Sequence, residues 1–132
     1  EPNKSKIFIF SPFKITLSFS KIKLSFTSCF IQNKPTSNNS LLTSWSKINS
    51  TDSLPIISQI DNINTSDGST VELHSWKNGS NGTTVEHYKI IGGGHSWPKI
   101  NSNSSKGYTN GDIDADQLIW NYLSRYNLDG LR

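Results

Sequence analysis

The chain has no methionine, not even at position 1, and a single cysteine among its 132 residues. The missing methionine leads to the expectation that the sequence is a piece of a longer product. One cysteine excludes an internal disulfide and any multi-cysteine metal site. Cys29 sits in SFTSCFIQ with no histidine close in sequence, so an incidental thiol is expected there rather than a nucleophile. Aspartate, glutamate and glycine are all absent between Pro2 and Thr51, which strips that stretch of ordinary turn punctuation. Apolar residues make up only 33% of the chain, less than a compact domain usually carries. Long hydrophobic runs are missing too. Lysines break the apolar stretches, so neither a membrane span nor a signal-peptide core is expected. The formal net charge is +3, and the lysines are scattered instead of clustered on one face with stacking aromatics, which argues against a nucleic-acid partner.

Two regions differ in character. Residues 1–40 are built almost wholly from Lys, Ser, Phe, Ile, Leu and Thr. KIFIF and KITLSFS alternate with period two, which favours strands, and NKPTSNNS (33–40) reads as a linker. This atypical segment is as compatible with a wrongly joined or frame-shifted coding region as with native structure. Residues 41–132 carry the sharper signals. Leu41, Leu42, Trp45 and Ile48 fall at helical spacing. PIISQI suits a short strand, and NTSDGS a turn.

Two β-rich runs follow, STVELHSW (69–76) and TTVEHYKII (83–91), joined by KNGSNG. The Asn-Gly pairs predict an antiparallel hairpin. Neither face of the second run is purely polar, so that strand should be mostly covered. After a polar loop at 99–112, DADQLIWNYLSRY (114–126) predicts an amphipathic helix. Ala115, Leu118, Ile119, Tyr122 and Tyr126 form its apolar stripe, widened by Trp120 and Leu123. Asp114 is the expected N-cap, with Gln117 completing a capping box.

Between hairpin and helix lies KIIGGGHSWP (89–98). A glycine run after a strand can be a plain loop and its histidine a surface residue. Phosphate binding fits poorly, since neither G-x-G-x-x-G nor G-K-[ST] is present. A metal site would need His95 joined by other ligands. His74 and His87 lie on the hairpin, and strand parity alone does not bring them to it, so no metal and no cofactor is expected. The remaining option is a histidine delivered at a strand end as general base, with side-chain-free backbone allowing close approach around it.

VEHYKIIGGGHSWP, followed by GYTNGDIDADQLIWNYLSRY and NLDGL, resembles the C-terminal end of the poly(3-hydroxybutyrate) depolymerase and feruloyl esterase-like family, secreted serine esterases of the α/β-hydrolase fold. LLTSWSKIN and TSDGSTVELHSWKNGSNGTTVE resemble the helix and hairpin upstream of the histidine in that family. The likeness covers about residues 41–131. It implies an α/β fold, here the C-terminal fragment of an α/β-hydrolase (β-hairpin, His loop, C-terminal helix) preceded by the atypical segment. His95 would be the triad histidine, Gly92, Gly93 and Gly94 its approach loop, and Trp97 and Pro98 the fixed exit of that loop. An ester or polyester substrate and an extracellular location are implied for the full-length parent.

The family's nucleophile elbow, G-x-S-x-G, has no match in this chain. Residues 1–34, where the triad aspartate would be expected, contain no aspartate, and Asp52, Asp61 and Asp67 stand in the wrong context for the role. A triad histidine without its serine has no proton to accept, so the chain alone is expected to be inactive. Two other outcomes stay open: a non-catalytic module that docks through an exposed apolar side of the 114–126 helix, and the product of a degraded gene. Sequons at Asn49, Asn64, Asn78, Asn81 and Asn103 are expected by chance in so Asn- and Ser-rich a chain.

Overall fold

The computed structural model describes residues 6–10, 37–94, 96–100, 109–127 and 130–132, the first of these as backbone. Cys29 lies outside them. The protein is a small mixed α/β fold. Strands β1 (Lys6–Phe10), β2 (Ile56–Gln59), β3 (Thr70–Trp76) and β4 (Val85–Ile91) form one sheet in the order β1-β4-β3-β2. Every neighbouring pair in it is antiparallel. Helices α1 (Ser37–Asn49) and α2 (Ala115–Leu123) complete the fold, with a short ribbon of β5 (Tyr126–Asn127) and β6 (Gly130–Leu131) at the end.

The hairpin β3–β4 is the centre of the sheet, in register from Thr70 opposite Ile91 to Trp76 opposite Val85. Its connection turns through positive φ at Asn78 (58°), Asn81 (56°) and Gly82 (73°). Asn and Gly are the residues that accept that conformation most readily. The side chains then alternate. Val71, Tyr88 and Ile90 join Ile113 and Tyr122 in one buried cluster, with Leu118 and Ile119 of α2 packed on it. Trp76 and Val85 face the other way and pack with Leu42 and Trp45 of α1. The sheet is therefore covered by one helix on each side, and β4 is buried or half-buried along its whole length, as its mixed faces predict.

Several helix boundaries differ from expectation. Residues 37–40, read as linker, form the first turn of α1. Its end is set by Ser50 at φ 55°. The Thr51 N–H donates to the Ser46 carbonyl at 3.0 Å and the Ser50 N–H to that of Lys47 at 3.1 Å, the bond pair of a Schellman stop. The Asn49 side chain is 1% exposed, which removes that sequon from the surface. Helix α2 stops at Leu123, three residues early, because Tyr126 enters β5. Its N-cap is Asp114, whose carboxylate accepts from the Gln117 N–H at 3.1 Å. The return half of a capping box is not made: the Gln117 amide donates to Asn121 instead, at 2.7 Å.

Tyr122 anchors α2 to the sheet. It is 1% exposed and donates its hydroxyl to the Thr84 carbonyl at 2.6 Å. Arg125 stacks over the Tyr122 ring at 4.6 Å and donates to Glu86 at 2.6 Å. The apolar side of α2 thus faces the sheet, with Tyr122 buried and Leu118, Ile119 and Leu123 partly buried against it. Trp120, expected in the stripe, is 66% exposed.

The face toward α1 also carries Glu72 and His74 of β3 and His87 and Lys89 of β4. His87 is 4% exposed, and neither ring nitrogen has a hydrogen-bond partner. Burial, helped by the neighbouring His74 and Lys89 and opposed by Glu72, pushes its pKa down to about 4. The unfolded chain takes up this proton near pH 6.5 and the folded chain only near 4, so stability is lost as the pH is lowered through that window. Unfolding by urea in metal-free buffer should give a free energy about 2 kcal/mol lower at pH 5 than at pH 7.5. The Glu72 carboxyl, held below its ordinary range by His74 and then Lys89, loses its contribution only in stronger acid. His87→Leu should flatten the pH 5–7.5 slope.

Candidate functional site

The glycine run leaves the end of β4 and runs into the turn at 64–69. Gly92 has φ +79°, and a Cβ on it would overlap the carbonyl oxygen of Gly68. Gly93 is buried, and a Cβ there would come within 2.6 Å of Ile90 Cγ2. Two of the three glycines are therefore required by backbone approach and packing. Gly94 is half-buried. His95 lies outside the described residues.

Beyond it, the chain is tied down at every step. Ser96 and Thr109 share a hydroxyl–hydroxyl hydrogen bond of 2.6 Å. Trp97 donates its indole N–H to Asp116 at 3.0 Å, and Lys99 reaches the other oxygen of that carboxylate at 3.6 Å. Pro98 is fully buried, and its carbonyl accepts the Ala115 N–H at 3.2 Å. That donor belongs to the first turn of α2, where no intrahelical partner exists. The Lys99 N–H donates to the Asn110 carbonyl at 3.1 Å. Trp97 and Pro98 are thus both bonded to the first turn of α2.

The sequence gives little hint of what holds this assembly. Residues 109–112, read as part of a polar loop, are buried and joined to the turn at 64–69. Asp67 Oδ1 accepts from the Ser69 N–H at 2.8 Å and its hydroxyl at 2.7 Å, while Oδ2 accepts from the Gly111 N–H at 2.8 Å. Asp112 accepts from the Asn64 N–H and from the Asn110 amide, both at 3.0 Å. Asn110 also donates to the Ser69 hydroxyl at 2.8 Å. A signal for it exists: in Asn64/Ser66, Asp67/Ser69 and Asn110/Asp112, the side chain of the first residue accepts the N–H two positions on, the Asx-turn spacing. Asp67 uses both carboxylate oxygens, one within its own turn and one on Gly111.

The remaining histidines meet each other. His74 and His87 stand directly opposite across β3 and β4, with ring centroids 5.2 Å apart. Among the described residues, no group of three or more His, Cys, Asp or Glu side chains is arranged to hold a metal ion, and no helix is long and apolar enough to cross a membrane. Comparison with protein-family models, with characterised proteins and with solved structures finds no match.

Replacing each glycine separates the two constraints at the turn. Gly68 also has positive φ, 69°, but a Cβ there meets nothing within 4 Å. Gly68→Ala should cost about 1 kcal/mol, the conformational term alone. Gly92→Ala should cost roughly 2 kcal/mol more than that, because a backbone carbonyl must also move. Denaturant unfolding of the two variants checks the order.

Proposed function

We propose that this chain is the histidine-bearing C-terminal part of a secreted serine esterase of the α/β-hydrolase kind, acting on a polyester or feruloyl ester. The observation that supports this reading most is the anchoring of the chain on both sides of position 95. Gly92 and Gly93 are pressed onto the 64–69 turn and Ile90, and Ser96 to Lys99 are bonded to Thr109, Asn110 and the start of α2. A general base must be held at hydrogen-bond distance from a hydroxyl, and precise positioning of a loop residue requires fixed flanks.

In this reading His95 takes the proton of a serine supplied from outside these 132 residues as the hydroxyl attacks the ester carbonyl. It then gives that proton to the departing alcohol, and repeats the exchange with water to release the acid. The acidic residue that orients the imidazole would also come from outside, since Asp67 and Asp112 are engaged in holding backbone N–H groups.

Hydrolysis of p-nitrophenyl butyrate provides the test. The 132-residue chain should show no turnover. A parent polypeptide extended upstream should be active, and His95→Ala should lower its kcat by about a thousandfold or more with little change in KM. Turnover by the chain alone, or a parent indifferent to His95→Ala, overturns the proposal.

A further inference from the structure

We propose that His74 and His87 form a two-imidazole site for a divalent transition-metal ion such as Zn2+, on the sheet face away from α2. The site is independent of His95 and of the esterase reading. Strand register sets it up: the two residues are direct partners on neighbouring strands, so both rings project from one face. Their centroids are 5.2 Å apart with the rings tilted at 56°. Two imidazoles sharing one tetrahedral Zn2+ through nitrogens at about 2.1 Å place their ring centres about 5 Å apart.

His87 supplies the independent sign of a ligand. Its side chain is almost wholly buried, and both ring nitrogens are without a hydrogen-bond partner. Buried polar atoms in folded proteins are nearly always satisfied, and an orphan calls for an ion or a water.

The second imidazole is already oriented as a ligand would be. His74 Nε2 lies 3.1 Å from Glu72 Oε2. A carboxylate can only accept, so Nε2 carries the hydrogen and Nδ1 is the ring nitrogen left to ligate a metal. Carboxylate–histidine–metal chains of this kind orient ligands in known sites. Lys89, 3.1 Å from the same oxygen, balances the Glu72 charge and leaves the pair of imidazoles without a net cation beside them. With two protein ligands, the other coordination positions fall to water.

Zinc titration of the full chain at pH 7.5, on material shown to be folded by near-ultraviolet circular dichroism, reads the site out. One equivalent should bind. His74→Ala should weaken binding at least tenfold, and Glu72→Gln about tenfold, while His95→Ala should leave it unchanged. Because His87 is almost wholly buried, the more accessible His74 carries the mutational test. Cu2+ electron paramagnetic resonance adds a second readout, with two nitrogen ligands in the parent chain and one in His74→Ala. A folded chain that binds no Zn2+, binding that survives His74→Ala, or binding lost in His95→Ala instead, overturns the proposal.

Discussion

The carboxylate of Asp67 is the contact on which the candidate site depends. It closes its own turn through Ser69 and, with its other oxygen, holds the Gly111 N–H. That single side chain joins two segments more than forty residues apart in sequence, and the turn it closes is the surface against which Gly92 rests. Hydrogen bonds to a charged acceptor contribute more than neutral ones, and losing such an acceptor leaves buried donors unpaired. Without Asp67, Ser69 and Gly111 would both be left in that condition. The bareness of the glycine run follows from the same constraint, since only a residue without Cβ lets the end of β4 pass so near Gly68.

The two faces of the central hairpin do different work. Toward α2 the buried cluster is apolar, Tyr122 places its hydroxyl on the Thr84 carbonyl, and Glu86 pairs with Arg125 beside it. Toward α1, the apolar packing of Trp76 and Val85 gives way along the strands to His74, His87, Glu72 and Lys89. A buried imidazole there, its pKa pushed down, weakens the fold in acid. Period-two alternation thus puts the larger apolar cluster on one face and the two imidazoles on the other, within a single pair of strands.

The hairpin was legible because alternation and Asn-Gly turn chemistry pointed to the same answer. The core of α2 was legible from its spacing and from Asp114. Trp120 was misjudged because a 3.6-residue period leaves positions at the margin of the stripe undetermined, and only the tilt of the helix on the sheet decides them. The start of α1 was missed because Ser37 to Ser40 offer no apolar period. Residues 109–112 were misread because polarity in a sequence looks the same whether water or a buried carboxylate satisfies it. The pairing of His74 with His87 depends on the length of the intervening turn, so composition alone could not give it. At the glycine run, the sequence suggested close approach around a histidine, while the described geometry adds a packing reason for two of the three glycines.

The bond from the Ala115 N–H to the Pro98 carbonyl makes the exit of the glycine turn part of the first turn of α2. With Lys99 held by Asn110 and Gly111 held by Asp67, three amide protons from three segments depend on one another. Fraying of that helix end would therefore not stay local: the segments would open as one cooperative unit, and their amides would exchange with solvent deuterium at a common rate.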